Sequence, residues 1–184
     1  MQGRLFDRYT ATEVAAFTGL QERVVRKDIE HGVVPRSSPL VFAKVDLMYF
    51  AALADLGFQL KVGERKRLRH TVGEALHAPS KVVRLSRYCV LNLEAMTREM
   101  MSILERFDAW KSTLVIDPGI LGGEPVFPNS RLAVRHIGGM QIRGASLQEI
   151  CEDYPYLSGD DINFSRRYTI AYPPKGRPSA QAAP

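Results

Sequence analysis

Cysteine is nearly absent: Cys89 and Cys151 are the two in 184 residues. That is too few for a disulfide framework and suits a reducing cytoplasm. Long apolar runs are missing as well. The longest, Leu47 to Ala54, is eight residues and stops at Asp55, whereas a membrane span needs about 20, so no membrane anchoring is expected. MQGRLFDRYT at the N-terminus has no apolar stretch of signal-peptide length, so secretion is not expected either. The four histidines, His31, His70, His77 and His136, are scattered, none with a second ligand-type residue at metal-site spacing. H-E-x-x-H, C-x-x-C, the P-loop and G-x-G-x-x-G are all absent. Asp117 and Glu124 are two carboxylates in a Gly-rich loop, short of a cation site. Asp160 and Asp161 read as helix N-terminal charge. These absences argue against an enzyme and against a metal or cofactor. No period of 20–50 residues repeats, which excludes a solenoid.

The composition that remains, 45% hydrophobic and 24% charged, is that of a globular protein with one large core or two small ones. The net charge of +5 is uneven. Residues 1–91 hold 15 Lys/Arg against 9 Asp/Glu, while 92–112 hold 3 against 4 and 113–184 hold 7 of each. A basic excess confined to one half favours a polyanionic partner there, and it is equally compatible with simple solubility charge.

Periodicity predicts a mainly α fold with minor β. Thr10 and Glu13 fit a capping box opening a helix that Gly19 stops. A second helix runs from about Leu20 to His31 and is ended by Gly32. Val33–Val34 and Leu40–Phe42 read as a small hairpin, or wing. An apolar helix spans Lys44–Leu56, and another spans 63–78 on the stripe Leu68, Val72, Ala75 and Leu76. VVRLSRYCVLNL is strand-like. Leu93 to about Lys111 carries Met96, Met100, Leu104, Phe107 and Trp110 at helical steps. That stripe either packs inside the chain or forms a two-fold interface anchored by Phe107 and Trp110. DPGILGGEPVFPNSR must be a loop. Val134–Arg143, SLQEICEDY and DDINFSRRYTIAY then give three helices, with Ser146 and Glu149 a second capping box. Four segments result: a winged helix–turn–helix over 1–62, a connecting and possible dimerisation region over 63–112, a three-helix domain over 113–173, and a flexible or polyproline-like tail over 174–184.

Placed on a wheel at about 100° per residue, the second helix puts Leu20, Val24, Val25 and Ile29 on one side. Glu22, Arg23, Arg26, Lys27 and Glu30 take the other. Three cations on an exposed helix, followed by a wing with Arg36, Ser37 and Ser38, suit a groove-reading element. Thr12 and Gln21, near the starts of the two helices, complete the candidate DNA-binding set. In KVGERKRLRH the cations Lys61, Arg65, Lys66, Arg67 and Arg69 read as a solvated face with a possible supporting phosphate role.

TATEVAAFTGLQERVVRKDIEHGVV with its wing and the helix ending Leu56-Gly57-Phe58 resembles the winged helix–turn–helix of MerR-type regulators. DPGILGGEPVFPNSRLAVRHI followed by GASLQEI and DYPYL resembles a small bacterial domain of unknown function carried by antitoxins. The matching residues are Asp117, Gly122, Gly123, Glu124, Pro125, Val126 and Arg131, then Gly144, Ser146, Glu149, Ile150, Tyr154, Pro155 and Leu157. Asn129-Ser130 stands where that family usually has Gly-Thr. The trailing Tyr172-Pro173 and Lys175-Gly176-Arg177-Pro178 resemble the tail of VapB-type antitoxins.

This resemblance implies a cytoplasmic bacterial antitoxin of a type II toxin–antitoxin system. It would inhibit a co-encoded PIN-like ribonuclease and repress its own operon by binding operator DNA as a homodimer. Such nucleases hold divalent metal in an acidic cluster, for which an arginine can compete. The candidate toxin-binding residues are Lys175 and Arg177, or the Arg166-Arg167 pair. Within the family loop, Gly122-Gly123 permits positive φ, Pro125 stiffens the exit, and Glu124 is expected to pair with Arg131. Two rival readings are a stand-alone MerR-like regulator without a toxin and an interaction adaptor that never touches DNA.

Overall fold

A computed structural model describes residues 8–174. Eight α-helices, one 3-10 turn and one two-stranded sheet are present among the described residues. Helix α1 (Ala11–Thr18) begins at the expected capping box. Thr10 Oγ1 accepts from the Glu13 amide at 3.2 Å, and the Glu13 carboxylate accepts from the Thr10 amide at 2.9 Å. Gly19 ends the helix at φ +76°, a conformation that costs little only for glycine. Helix α2 (Glu22–Glu30) follows after a three-residue turn, with Val25 fully buried.

The expected hairpin after α2 does not form. Residues 33–42 are a loop whose start folds back on α2, with Val33 and Val34 both donating to Asp28 O. Ser37 Oγ donates to Val41 O and accepts from its amide, and Phe42 bridges to Tyr9 rather than to Val34. Pro35 and Pro39 have no N–H to give, so a ladder across this segment has no donors where it needs them.

Helices α3 (Lys44–Asp55) and α4 (Val62–His77) pack together, with Leu68, Val72 and Ala75 buried as the periodicity requires. The strand-like stretch splits into β1 (Val82–Arg84) and β2 (Val90–Asn92), antiparallel, with Val83 opposite Leu91. Those two face inward, while Val82, Arg84, Val90 and Asn92 face solvent.

Helix α5 (Leu93–Thr113) turns most of its stripe into the core. Met100, Leu104, Phe107 and Trp110 are buried within their own chain. Phe107 meets Phe17 edge-on at 5.1 Å and Phe164 at 5.7 Å, and Trp110 Nε1 donates to Asp161 at 2.8 Å. Neither aromatic is left to anchor a second copy.

The C-terminal helices are α6 (Val134–Ile142), α7 (Leu147–Asp153) and α8 (Gly159–Ala171). Helix α8 lies against α6 on one side and α1 on the other. The α6–α8 crossing is so close that a Cβ on Gly138 would sit 2.1 Å from Thr169 Oγ1 and 2.3 Å from Ser165 O. Buried residues from Tyr9 to Tyr168 therefore form one continuous core.

Candidate nucleic-acid interface

Helix α2 is strongly two-sided. Its inward face carries Val25 and, unexpectedly, Asp28, which has no exposed surface. A bare carboxylate there would be costly, and one hydrogen bond and one ion pair offset it. The Tyr49 hydroxyl donates to Asp28 Oδ2 at 2.6 Å, and Arg65 Nη1 of α4 lies 2.7 Å from Oδ1. Burial and the bond to Asp28 push the Tyr49 phenol well above its ordinary range. Arg65 also meets His31 Nδ1 at 3.2 Å. Arg69, one turn along α4, pairs at 2.7 Å with Asp46, buried at the start of α3. Two of the five cations of KVGERKRLRH are thus turned inward and fix α2 and α3 to α4. The signal was available: Asp28 stands four residues after Val24 and three after Val25, on the apolar stripe.

The outward face of α2 presents Gln21, Arg23, Arg26 and Lys27, all exposed. Arg26 is braced by Glu22 of the preceding turn, Nε to Oε1 at 2.6 Å. Across a shallow groove, the loop presents Arg36, Ser37 and Ser38 beside Arg26 and Glu30. Seven of the eight candidate DNA-binding residues are therefore exposed, and four of them, Arg26, Arg36, Ser37 and Ser38, line one groove, while Lys27 borders another with Val24 and His31. Thr12 is the exception: its hydroxyl donates to Ala171 O at 2.8 Å, at the junction of α1 with the end of α8.

The family loop, 115–133, is held by two bridges, Val126 to Val115 and Val126 to Ala133. Gly122 and Gly123 take φ of +66° and +87°, as their sequence suggests. Asn129 takes φ +56°, so asparagine occupies a left-handed position it tolerates better than most side chains. Ser130 Oγ donates to Phe127 O at 3.0 Å.

Glu124 pairs with Arg135 of α6, not with Arg131, which is exposed. Pro125 is buried, and its carbonyl accepts from Val134 N at 3.0 Å, which brings the first turn of α6 rather than residue 131 alongside Glu124. Arg135 continues to Tyr172 O at 2.6 Å, and the Tyr172 hydroxyl donates to Glu13 Oε1 at 2.9 Å. The loop, the end of α8 and the cap of α1 are one connected polar network. Asp117 is occupied by the amide of Gly119. Among the described residues no three His, Cys, Asp or Glu gather as a metal site.

Of the candidate toxin-binding residues, Arg166 is exposed on α8. Arg167 is turned into the protein, donating to Ala16 O and Phe17 O at 3.3 Å and lying over the Phe17 ring. Burial, with the neighbouring Arg166 charge, lowers its pKa. Its position at the carbonyl end of α1 is where a cation is favoured. Lys175 and Arg177 lie outside the described residues.

Compared with known proteins, residues 114–169 match a family described as a protein of unknown function, DUF433. No curated protein and no solved structure matches the chain. Among the described residues no helix is long and apolar enough to cross a membrane.

Proposed function

We propose that this protein is an antitoxin of a type II toxin–antitoxin system. It binds operator DNA through α2 and the adjoining loop to repress its own operon, and it inhibits a co-encoded PIN-like ribonuclease. The observation that carries the DNA half is the outward face of α2. Arg23, Arg26 and Lys27 stand exposed on a short helix whose other side is pinned by the buried Asp28–Arg65–Tyr49 contact. Rigid support beneath exposed cations is what a groove-entering helix requires.

The C-terminal helices are less suited to that role. Helix α8 spends its faces on α6 and α1, and its start is acidic, with Asp160 and Asp161. The toxin half is supported by the DUF433 match over 114–169 and by the antitoxin resemblance of the same residues. With Arg167 engaged in the fold, the inhibitory cations are Arg166 and the tail residues Lys175 and Arg177, offered to an acidic, metal-holding cluster.

Fluorescence anisotropy with the DNA upstream of the gene tests the DNA half. Wild type binds with a steep salt dependence, and Arg26→Glu weakens it strongly. Unchanged affinity in Arg26→Glu contradicts the assignment of α2.

A further inference from the structure

The basic excess of the N-terminal half does not come from the segment that holds α1, α2 and the loop. Residues 1–60 carry seven Lys/Arg and seven Asp/Glu, whereas residues 61–91 carry eight against two. Two of those eight, Arg65 and Arg69, are bound to buried Asp28 and Asp46. The other six, Lys61, Lys66, Arg67, Lys81, Arg84 and Arg87, are all exposed, and none pairs with a carboxylate among the described residues. The two acids of the segment are engaged within α4: Glu64 accepts from the amide of Lys61, and Glu74 meets His70 at 3.3 Å.

These cations run on from α2. Lys66 Nζ lies 3.7 Å from where a Cβ on Gly32 would be, so it reaches the turn that ends α2. Arg67 and Arg84 border one groove between α4 and the β1–β2 hairpin. At the hairpin tip Arg87 is exposed beside Tyr88, the most exposed large hydrophobic residue among the described residues at 89%. Helix α4 alone extends the surface by about 24 Å, some two-thirds of a duplex turn.

We propose that α4 and the β1–β2 hairpin form a second nucleic-acid contact, a wing that grips the phosphate backbone of duplex DNA flanking the site read by α2. Arg67, Arg84 and Arg87 neutralise phosphates there, and the Tyr88 hydroxyl donates to the same backbone. The inference rests on the DNA-binding reading of α2 and adds a footprint that α2 and its loop cannot reach.

The test compares the full chain with R84Q/R87Q and R26Q/K27Q, titrated over a range of salt onto two duplexes. One covers the α2 site alone, and the other carries it within about 30 base pairs. On the long duplex, R84Q/R87Q lowers the slope of log affinity against log salt by about 2, near 0.9 for each lost phosphate contact. On the short duplex it matches wild type. An unchanged slope on the long duplex, with R26Q/K27Q weakened on both, overturns the wing and leaves the α2 reading standing. Wild type that binds neither duplex overturns both. Unaltered DNA binding with lost capture of the co-encoded protein also overturns the wing and reassigns the surface to an acidic protein partner. Unfolding midpoints equal to wild type establish that the paired glutamines act at the surface.

Discussion

At the residue scale, the positions that matter most for stability are those where a side chain has nowhere else to go. Gly138 is one. Alanine there drives a Cβ into the Ser165 carbonyl, which is backbone and does not yield easily. Gly138→Ala should cost about 2–3 kcal/mol, read as a lower urea midpoint. Arg65 is another, because Asp28 is fully buried beneath it. Arg65→Met leaves that carboxylate unpaired and should destabilise the fold by about 3–5 kcal/mol. Tyr49 offers a titration readout of the same contact. Its pKa is raised in the folded chain, so the stability it contributes is present below pH 10, the ordinary phenol value, and is lost as pH rises further. In an alkaline ultraviolet titration Tyr49 should ionise only as the chain unfolds.

At the element scale, local signals were legible and distant partners were not. The Thr10–Glu13 and Ser146–Glu149 caps, and the glycine stops after α1 and α2, depend on residues three or four apart, and they appear where the sequence puts them. The wing does not form, because the two short β-prone pieces find partners outside the segment, Val33 and Val34 on Asp28 and Phe42 on Tyr9. Glu124 reaches past the nearer Arg131 to Arg135, and spacing alone cannot say that the loop brings the first turn of α6 close. The inward turn of Arg65, Arg69 and Arg167 was equally hidden, each being fixed by a partner 23 to 151 residues away. The two-sidedness of α2, with Val25 inside and Arg23, Arg26 and Lys27 outside, was readable from one helical wheel. For α2 the expectation is specific: losing a phosphate contact at Arg23 lowers the salt slope by about 1, and losing a base contact at Arg26 costs ~1–3 kcal/mol against the operator alone.

At the scale of the whole molecule, the C-terminal helices are part of the N-terminal core. Helix α8 packs on α1, Arg167 holds the end of α1, and Tyr172 holds its cap through Glu13. On the proposed reading, a toxin seated on the C-terminal segment would be coupled through α8 to the α1–α2 pair, and its occupancy would alter operator affinity. The exposed Ile116 and Leu121 of the family loop and Tyr156 after α7 are apolar surface on the segment that carries the antitoxin resemblance. Removing residues 174–184 takes away Lys175 and Arg177 while leaving the described core whole, so the truncated chain should fold and bind DNA but neutralise the toxin poorly. Full neutralisation by that chain contradicts the role given to the tail. The central claim is tested most directly by co-expressing the full chain with the protein encoded by the adjacent gene, purifying through one tag, and assaying RNA cleavage. The expected result is a stable complex in which cleavage is suppressed and is restored when the chain is removed. A neighbour that does not co-purify, or that cleaves RNA equally well with the chain bound, contradicts it.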